Sequence, residues 1–523
     1  MAINEQTALG SSDLAQVAAE YGLECVSSVE DSAFDHDLLD QLPVEWAREN
    51  GMLPIRLGGK TCLLVSDPSS VEKQEYVSIL VGEDLHPLLV TTELVLECIE
   101  RSYFSQDNSP SDFIDDLKSD DKVSEVRKVD DLLEVASQAP VTQLINLILL
   151  DAYKQNASDV HIEPFENRLR VRYRIDGVLY EQSSPPANMV QPLVSRLKVM
   201  SHMDIAERRL PQDGMARVRV GEHEIDIRVS TVPVTEGERV VLRLLDKSNT
   251  LLTMAELGME QVCYTRFISL LTQPNGIIVV SGPTGSGKTT TLYAALSELN
   301  SSRQNILTIE DPIEYQLDDI GQIQVKPKIG LTFSNGLRHI LRQDPDVILV
   351  GETRDTETAE IAIRAALTGH LVFTTLHTND APSAIVRLID MGIAPYLIAS
   401  SLRGVLAQRL VRKLCVHCRS LYTISAKEAE LYGEIGIFLV DQKVWKAEGC
   451  EHCTDGYRGR VGVFELLTIT PALQNLVRDG DFSVADMRRV ASSSEKDTLS
   501  SDGVAKVLNG ITTIDEILST TSV

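Results

Sequence analysis

The sequence predicts an α/β fold of several domains, organised around a doubly wound parallel sheet. Three observations lead there. Four short apolar runs, GIIVV at 276–280, NILTIED at 305–311, DVILVGE at 346–352 and LVFTTLH at 371–377, are separated by helical stretches, the pattern of buried parallel strands with crossover helices. Upstream, ASDVHIEP, RLRVRYRIDGVLYE, EIDIRVSTVP and ERVVLRLLD alternate with period two, as antiparallel strands do. The length of 523 residues exceeds what one hydrophobic core supports, so about three to four domains are expected.

From the start of the chain, residues 1–105 read as a small mixed α/β domain. LPVEWARENG gives a short helix, two apolar runs meet at Gly58-Gly59 as a hairpin, and VTTELVLECIERSYF adds a helix. Residues 106–133 are an acidic, self-repelling linker. VTQLINLILLDAYKQ has helical apolar spacing and opens a sheet-and-helix domain over 134–250. The doubly wound domain occupies 251–410. A cysteine-bearing stretch, 411–460, and a mostly helical region, 461–523, complete the chain.

Hydrophobic residues are 43% and charged residues 24%, ordinary for a soluble globular protein. No apolar run approaches the roughly 18 residues of a membrane helix, so no direct membrane insertion is expected. MAINEQTALGSSDLAQ lacks a basic start and an apolar core, so no signal peptide is expected and the chain should stay in the cytoplasm unless a partner holds it elsewhere. Net charge is −27, and residues 1–130 alone carry 27 acidic and 9 basic residues. Such a region argues against binding a phosphate backbone there. Solubility and attraction to a basic protein partner remain open as its purpose.

The spacing G-x-x-x-x-G-K-T is met by Gly282, Gly287, Lys288 and Thr289, within Gly282-Pro283-Thr284-Gly285-Ser286-Gly287-Lys288-Thr289-Thr290. It follows the run GIIVV and opens the helix KTTTLYAALSELN, the context a phosphate-binding loop requires. Glycines let backbone N–H groups turn inward, and the helix N-terminus adds the positive end of a dipole. Lys288 would reach the β- and γ-phosphates of ATP, and Thr289 would ligate Mg²⁺. Hydrolysis also needs carboxylates. Glu352 ends DVILVGE, and Glu310, Asp311 and Glu314 follow LTI. Both groups would face the crevice at the carboxyl ends of parallel strands. Glu352 is assigned to Mg²⁺ or water positioning and Glu310 to water activation, with the roles interchangeable. His370 and His377 bracket LVFTTL, and His377 could sense the γ-phosphate. Arg209, Arg228 and Arg243 precede the loop domain. Phosphoryl-transfer sites often import an arginine from a neighbouring subunit, and if these act in trans the active enzyme is a ring.

Cys415, Cys418, Cys450 and Cys453 form two C-x-x-C pairs 31 residues apart. In a cytosolic chain they suggest metal before disulfide, with four thiolates closing a tetrahedral Zn²⁺ site. His417 and His452 sit inside the pairs and are not read as ligands. Cys25, Cys62, Cys98 and Cys263 read as buried small hydrophobes.

These motifs together resemble the bacterial type II/type IV secretion ATPase superfamily over roughly 141–470. GPTGSGKTTTLYAAL resembles its Walker A segment, ILTIEDPIEYQ its Asp box, LRQDPDVILVGETRD its Walker B segment and LTGHLVFTTLHTNDA its His box. VLAQRLVRKLC leading into the four cysteines resembles its metal-binding subdomain. ASDVHIEPFENRLRVRYRIDGVLYE, GYRGRVGVFELL and LPVEWARENGMLPI are similar to the type II secretion (general secretory pathway) protein E group. Met215 stands where that group usually has a basic residue, and Val416-His417 where proline is common. The resemblance implies a RecA-like ATPase domain, a preceding PAS-like α+β domain, a zinc-binding insertion and a homo-hexameric ring. It further implies docking of the N-terminal domain to an inner-membrane partner, and a motor that assembles a pseudopilus for protein export. A type IV pilus extension ATPase, which shares these motifs, is the alternative. A nucleic-acid motor fits poorly with the acidic N-terminus, and a non-catalytic nucleotide-dependent scaffold is the remaining reading.

Overall fold

A computed structural model of the chain describes residues 18–104 with short gaps, then 139–220, 223–246, 252–299, 302–491 and 498–521. The acidic stretch 106–133 lies outside the described residues.

The first unit contains β1 (Glu24–Cys25), α1 (His36–Leu39), α2 (Val44–Asn50), β2 (Met52–Leu57), β3 (Lys60–Val65), α3 (Val71–Val81), β4 (His86–Leu89) and α4 (Thr92–Phe104). Its strands lie in the order β1-β4-β3-β2. The expected hairpin forms, with β2 antiparallel to β3 and Leu57 opposite Lys60. Its turn, Gly58-Gly59, lies outside the described residues. Met52, Leu53, Ile55 and Leu64 from the hairpin pack with Val95 and Ile99 of α4 in one small core.

The second unit runs α5 (Ala139–Lys154), β5 (Ala157–Phe165), β6 (Arg168–Ile175), β7 (Val178–Ser183), α6 (Val190–Met200), β8 (Gln212–Val220), β9 (His223–Val234) and β10 (Gly237–Asp246). The sheet is antiparallel in the order β7-β6-β5-β10-β9-β8. Period-two patterning explains why. Leu169, Val171, Tyr173 and Ile175 of β6 are buried, under Leu144 and Ile148 of α5 and Leu193 and Leu197 of α6. The arginines between them take the other face, where Arg170, Arg172 and Arg239 converge on Glu163.

The third unit holds α7 (Gln261–Leu271), β11 (Gly276–Ser281), α8 (Lys288–Glu298), β12 (Ile306–Glu310), β13 (Gly321–Gln324), α9 (Phe333–Ile340), β14 (Val347–Val350), α10 (Thr356–Leu367), β15 (Leu371–Leu376), α11 (Ala381–Asp390), α12 (Pro395–Ser401) and β16 (Leu402–Leu414). All four apolar runs are strands, and β11 through β16 pair in parallel. Every residue of β11 is buried. Ile277 and Val279 face the core under α9, α10 and α11, whereas Ile278 and Val280 face the core under α7 and α8. Two covered faces are what a run without polar alternation requires.

Beyond β16 come β17 (Ser420–Thr423), α13 (Ala426–Leu431), α14 (Gly433–Ile437), β18 (Lys443–Lys446), β19 (Tyr457–Thr468), α15 (Pro471–Asp479), α16 (Val484–Ala491), α17 (Leu499–Leu508) and α18 (Ile514–Thr521). The helical tail begins only at Pro471. Residues 461–468, expected as part of it, belong to β19, which runs antiparallel to β16 and closes the order β13-β12-β14-β15-β11-β16-β19. Residues 461–467 are all buried, because helices cover this strand on both faces and its polar–apolar alternation is lost. Strand β16 likewise runs through position 410, the expected end of the loop domain.

The second unit touches this extended sheet. Asp176, in the β6–β7 turn, accepts from the Gly459 N–H at 2.7 Å. Arg412 of β16 donates to Tyr180 Oη at 3.1 Å while gripping Glu516 of α18 at 2.7 and 3.0 Å.

Two buried acids fix the tail on β19. Asp502 of α17 accepts from the Phe464 N–H at 2.8 Å and pairs with Lys506 at 2.5 and 2.6 Å. Replacing Asp502 with Ala would strand a buried ammonium, so we expect a loss of about 3–5 kcal/mol in urea unfolding. Glu465 of β19 has its carboxyl pushed up to about 7 by burial. A raised folded pKa means this group's stabilising share is complete below about pH 4.5 and is lost as pH climbs through 7. Glu465→Gln should therefore match the parent near pH 5 and exceed it by up to about 3 kcal/mol at pH 8. Urea midpoints at the two pH values measure this. An equal gain at both would contradict it.

Candidate functional site

The glycine-rich segment hooks from β11 into α8, against the neighbouring strand β16. Gly282, Gly285 and Gly287 have φ of +149°, +78° and +86°, a region side chains disfavour. A Cβ on Gly282 would stand 2.4 Å from the Gln408 carbonyl oxygen, and one on Gly287 would stand 2.8 Å from Gln408 Nε2. The loop thus turns through space that β16 leaves only for glycine. Lys288 folds back beneath it, and its Nζ donates to the carbonyls of Gly282 at 2.7 Å and Pro283 at 2.9 Å. Burial lowers the Lys288 pKa to about 8, with the Glu352 charge opposing the shift and Arg409 adding to it. Thr289 is exposed and Thr290 half-buried in the first turn of α8, with Thr284 exposed on the loop and the Ser286 hydroxyl buried without a partner.

Glu352 follows β14 and is mostly shielded. It pairs with Arg354 at 2.8 Å and lies 3.9 Å from His377 Nε2. Burial, then the Lys288 charge, hold the His377 imidazole below its ordinary pKa. Lys288, Glu352 and His377 are therefore brought to one place. Glu310 ends β12 and is 3% exposed. Its carboxylate accepts from Tyr293 of α8 at 2.5 Å, from Thr308 at 2.5 Å and from Gln322 at 3.2 Å. Its tie to the loop is thus through the helix the loop opens. Asp311 is exposed, and Glu314 is half-buried with its N–H donating to Tyr293 Oη at 3.3 Å.

His370 stands at the amino end of β15, opposite the loop, where its Nδ1 donates to the Ala365 carbonyl at 2.8 Å. It closes the turn after α10. Arg209 is 88% exposed on its side chain and bound to Glu207 at 2.9 Å. Arg228 lies on β9, and Arg243 on β10 holds Asp159 at 2.9 Å. None of the three lines the cavity at the glycine-rich loop.

That cavity, of about 410 Å³, is walled by the loop residues 283–286, by Asn379 and Arg409, and by Ser519 and Thr520 of the last helix. Sequence reasoning missed all four of the latter. An arginine inside the apolar run VLAQRLV was a usable signal for Arg409. Nothing local marks Ser519 and Thr520, which arrive through the packing of Ile514 and Ile517 in the core and the Arg412–Glu516 clamp.

The four paired thiols converge. Sγ distances are 3.9 Å for Cys415–Cys450, 3.7 Å for Cys418–Cys453 and 3.6 Å for Cys450–Cys453, and all four atoms lie within 4.8 Å. Sulfurs at the corners of a tetrahedron around zinc lie about 3.8 Å apart, given a zinc–sulfur bond of about 2.3 Å. The set fits a zinc-binding insertion. The His417 and His452 rings lie 5.0 Å from each other, tilted by 57°, and are outside the thiol group.

Residues 134–519 match the family model described as type II/IV secretion system protein, and residues 21–109 match the MshEN domain. The type II secretion system protein E of Aeromonas hydrophila is 45% identical over 489 residues, covering 92% of this chain and 97% of that one. The type IV pilus assembly ATPase PilB of Myxococcus xanthus is 41% identical over 516 residues, covering 97% and 90%. Among solved structures, the Legionella pneumophila ATPase DotB superposes with a TM-score of 0.52 at 22% identity, over 72% of this chain and 94% of DotB, a likeness of fold. The chain belongs to the type II/IV secretion system protein family, in its protein E group of ATPases. Its third unit has the RecA-like fold expected of that family.

The glycines differ in what they tolerate. Open space surrounds the position a Cβ would take at Gly285, so Gly285→Ala should cost only the strain of its φ, about 1–2 kcal/mol. Gly282→Ala meets backbone oxygen at 2.4 Å as well, and its melting temperature should fall clearly further. Equal losses would mean that the loop does not rest on β16 as described.

Proposed function

We propose that this chain is a homo-hexameric motor that hydrolyses ATP to power pseudopilus assembly and protein export by a type II secretion system. The observation that carries this is the meeting of Lys288, Glu352 and His377 beside a glycine-rich helix N-terminus. Backbone N–H groups of Thr284 to Thr290 and the helix dipole would hold the phosphates. Lys288, drawn off its two loop carbonyls, would reach the β- and γ-phosphates. Mg²⁺, when bound with the nucleotide, would supply neutralisation of phosphate charge. Thr289 and Glu352 are the groups suited to hold it. Glu310, or Glu352 in the exchanged role, would take the proton of the attacking water, and His377 would read the γ-phosphate. Arg209 and Arg228 lie on a separate unit with no place at this chain's own cavity. That supports a role toward the nucleotide of a neighbouring subunit, where they would offset transition-state charge.

In this reading the N-terminal unit docks on the cytoplasmic part of an inner-membrane platform protein, and the motor works in the cytoplasm. No described helix is long and apolar enough to cross a membrane. Zn²⁺ held by Cys415, Cys418, Cys450 and Cys453 would clip the loop that carries α13 and α14. A type IV pilus assembly motor is the second reading, favoured by the match to PilB across 97% of the chain.

Lys288→Ala should abolish steady-state ATP turnover, and Glu352→Gln and Glu310→Gln should each lower kcat by about 10²–10⁴-fold. An unchanged rate in Lys288→Ala would sink the catalytic reading. Cells lacking the chain, complemented with it, should regain export of folded proteins, and recovery of surface pili alone would favour the second reading. Metal analysis should find one zinc per chain, lost in Cys453→Ser together with melting temperature, since structural zinc contributes folding energy. Zinc-free protein of unchanged stability would contradict that assignment.

A further inference from the structure

A second buried cation stands at the glycine-rich loop. Arg409, in β16, is 8% exposed. Its Nη2 donates to two neutral atoms of Asn379, the backbone oxygen at 3.1 Å and Oδ1 at 3.0 Å, and its Nε is buried without a partner. Among the described residues, no carboxylate oxygen lies within 4.0 Å of this guanidinium. Asp380 is close enough to act on it electrostatically. That carboxylate is already committed, to Arg488 at 2.6 Å and to the Ser383 N–H at 2.8 Å.

Arg409 also walls the cavity formed by loop residues 283–286. Across the loop lies Lys288, bonded only to carbonyls, and the charge of Arg409 weakens its hold on its proton. Two cations thus flank the same loop, and one of them, Arg409, walls its cavity. A guanidinium stays charged at any working pH, and a buried charge without a counter-charge is strongly unfavourable. Such an arrangement is balanced when a polyanion enters. The planar fork of an arginine matches two phosphate oxygens at once, which the Asn379 oxygens only imitate.

We propose that Arg409 is a phosphate-binding group of the chain's own nucleotide site. On entry of a nucleoside polyphosphate it leaves Asn379 and pairs with the phosphate chain. This rests on the nucleotide reading above and adds to it an arginine acting within the subunit, distinct from any arginine supplied by a neighbour.

The test uses the full chain, titrated calorimetrically with ATP and ADP at low and high salt, with melting curves of the ligand-free forms. Arg409→Gln should bind both nucleotides at least tenfold more weakly with a shallower salt dependence. Its ligand-free form should melt no lower than the parent, because an unbalanced buried charge is gone. Arg409→Lys, which keeps the charge and loses the fork, should fall between. Asn379→Ala removes the side-chain acceptor of the resting arginine and leaves the backbone one, and it should bind ATP as tightly as the parent or more tightly. Parental ATP affinity in Arg409→Gln would overturn the proposal. So would an Asn379→Ala loss as large as that of Arg409→Gln, since the arginine would then serve as a brace. If Lys288→Ala weakens ATP binding and Arg409→Gln does not, this inference alone fails. If the parent binds no ATP, the nucleotide reading fails with it.

Discussion

Positive charge concentrated at the carboxyl edge of the parallel sheet, held by neutral oxygens, is the constraint on which the site depends. Lys288 rests on the carbonyls of Gly282 and Pro283, and Arg409 rests on Asn379. Neither arrangement satisfies a buried cation fully. The surrounding fold keeps both in place through stiffness. Strand β11 is buried along its whole length between β15 and β16, so the turn that leaves it has no freedom to relax. Glycine at 282 and 287 is then a geometric necessity, because the Gln408 backbone and side chain occupy the space a Cβ would need.

The carboxylates are placed with a different logic. Glu352 is near both Lys288 and His377, yet its shortest contact is with Arg354, a largely exposed side chain able to swing away. Glu310 is locked by three donors, one of them Tyr293 on the helix that begins at Lys288. A shift of that helix on nucleotide binding would reach Glu310 through a single hydroxyl. The C-terminal helix enters the same neighbourhood by way of Arg412, which also contacts Tyr180 of the second unit. The cavity at the glycine-rich loop, the last helix and the second sheet therefore meet along a few residues of β16, a short path from the loop to the second unit.

Much of this is legible in the sequence where the signal is local. The four apolar runs are four parallel strands, the alternating runs are the antiparallel sheet, and the loop lies between strand and helix as its spacing demands. The two C-x-x-C pairs converge because cysteine spacing of this kind has few other uses. What is not legible depends on contacts between distant segments. VGVFELLT carries no helical or alternating signature, since burial on both faces erases it, and by sequence it merges with the helices that follow. Arg409 reads as part of the approach to the cysteines, because its relation to the loop comes from strand order. His370 and His377 bracket one apolar run, seven positions apart. Only strand direction separates the one at the loop from the one closing a turn at the opposite end.

The central claim is an ATP-hydrolysing site built on the Lys288 loop and completed by an arginine from a neighbouring subunit. The most direct measurement is ATP turnover per subunit in fractions resolved by oligomeric state, from monomer to the largest closed assembly. The account predicts turnover confined to the assembled fractions, with nucleotide binding retained in the monomer. The same turnover per subunit in the monomer, or none in any fraction, would contradict it.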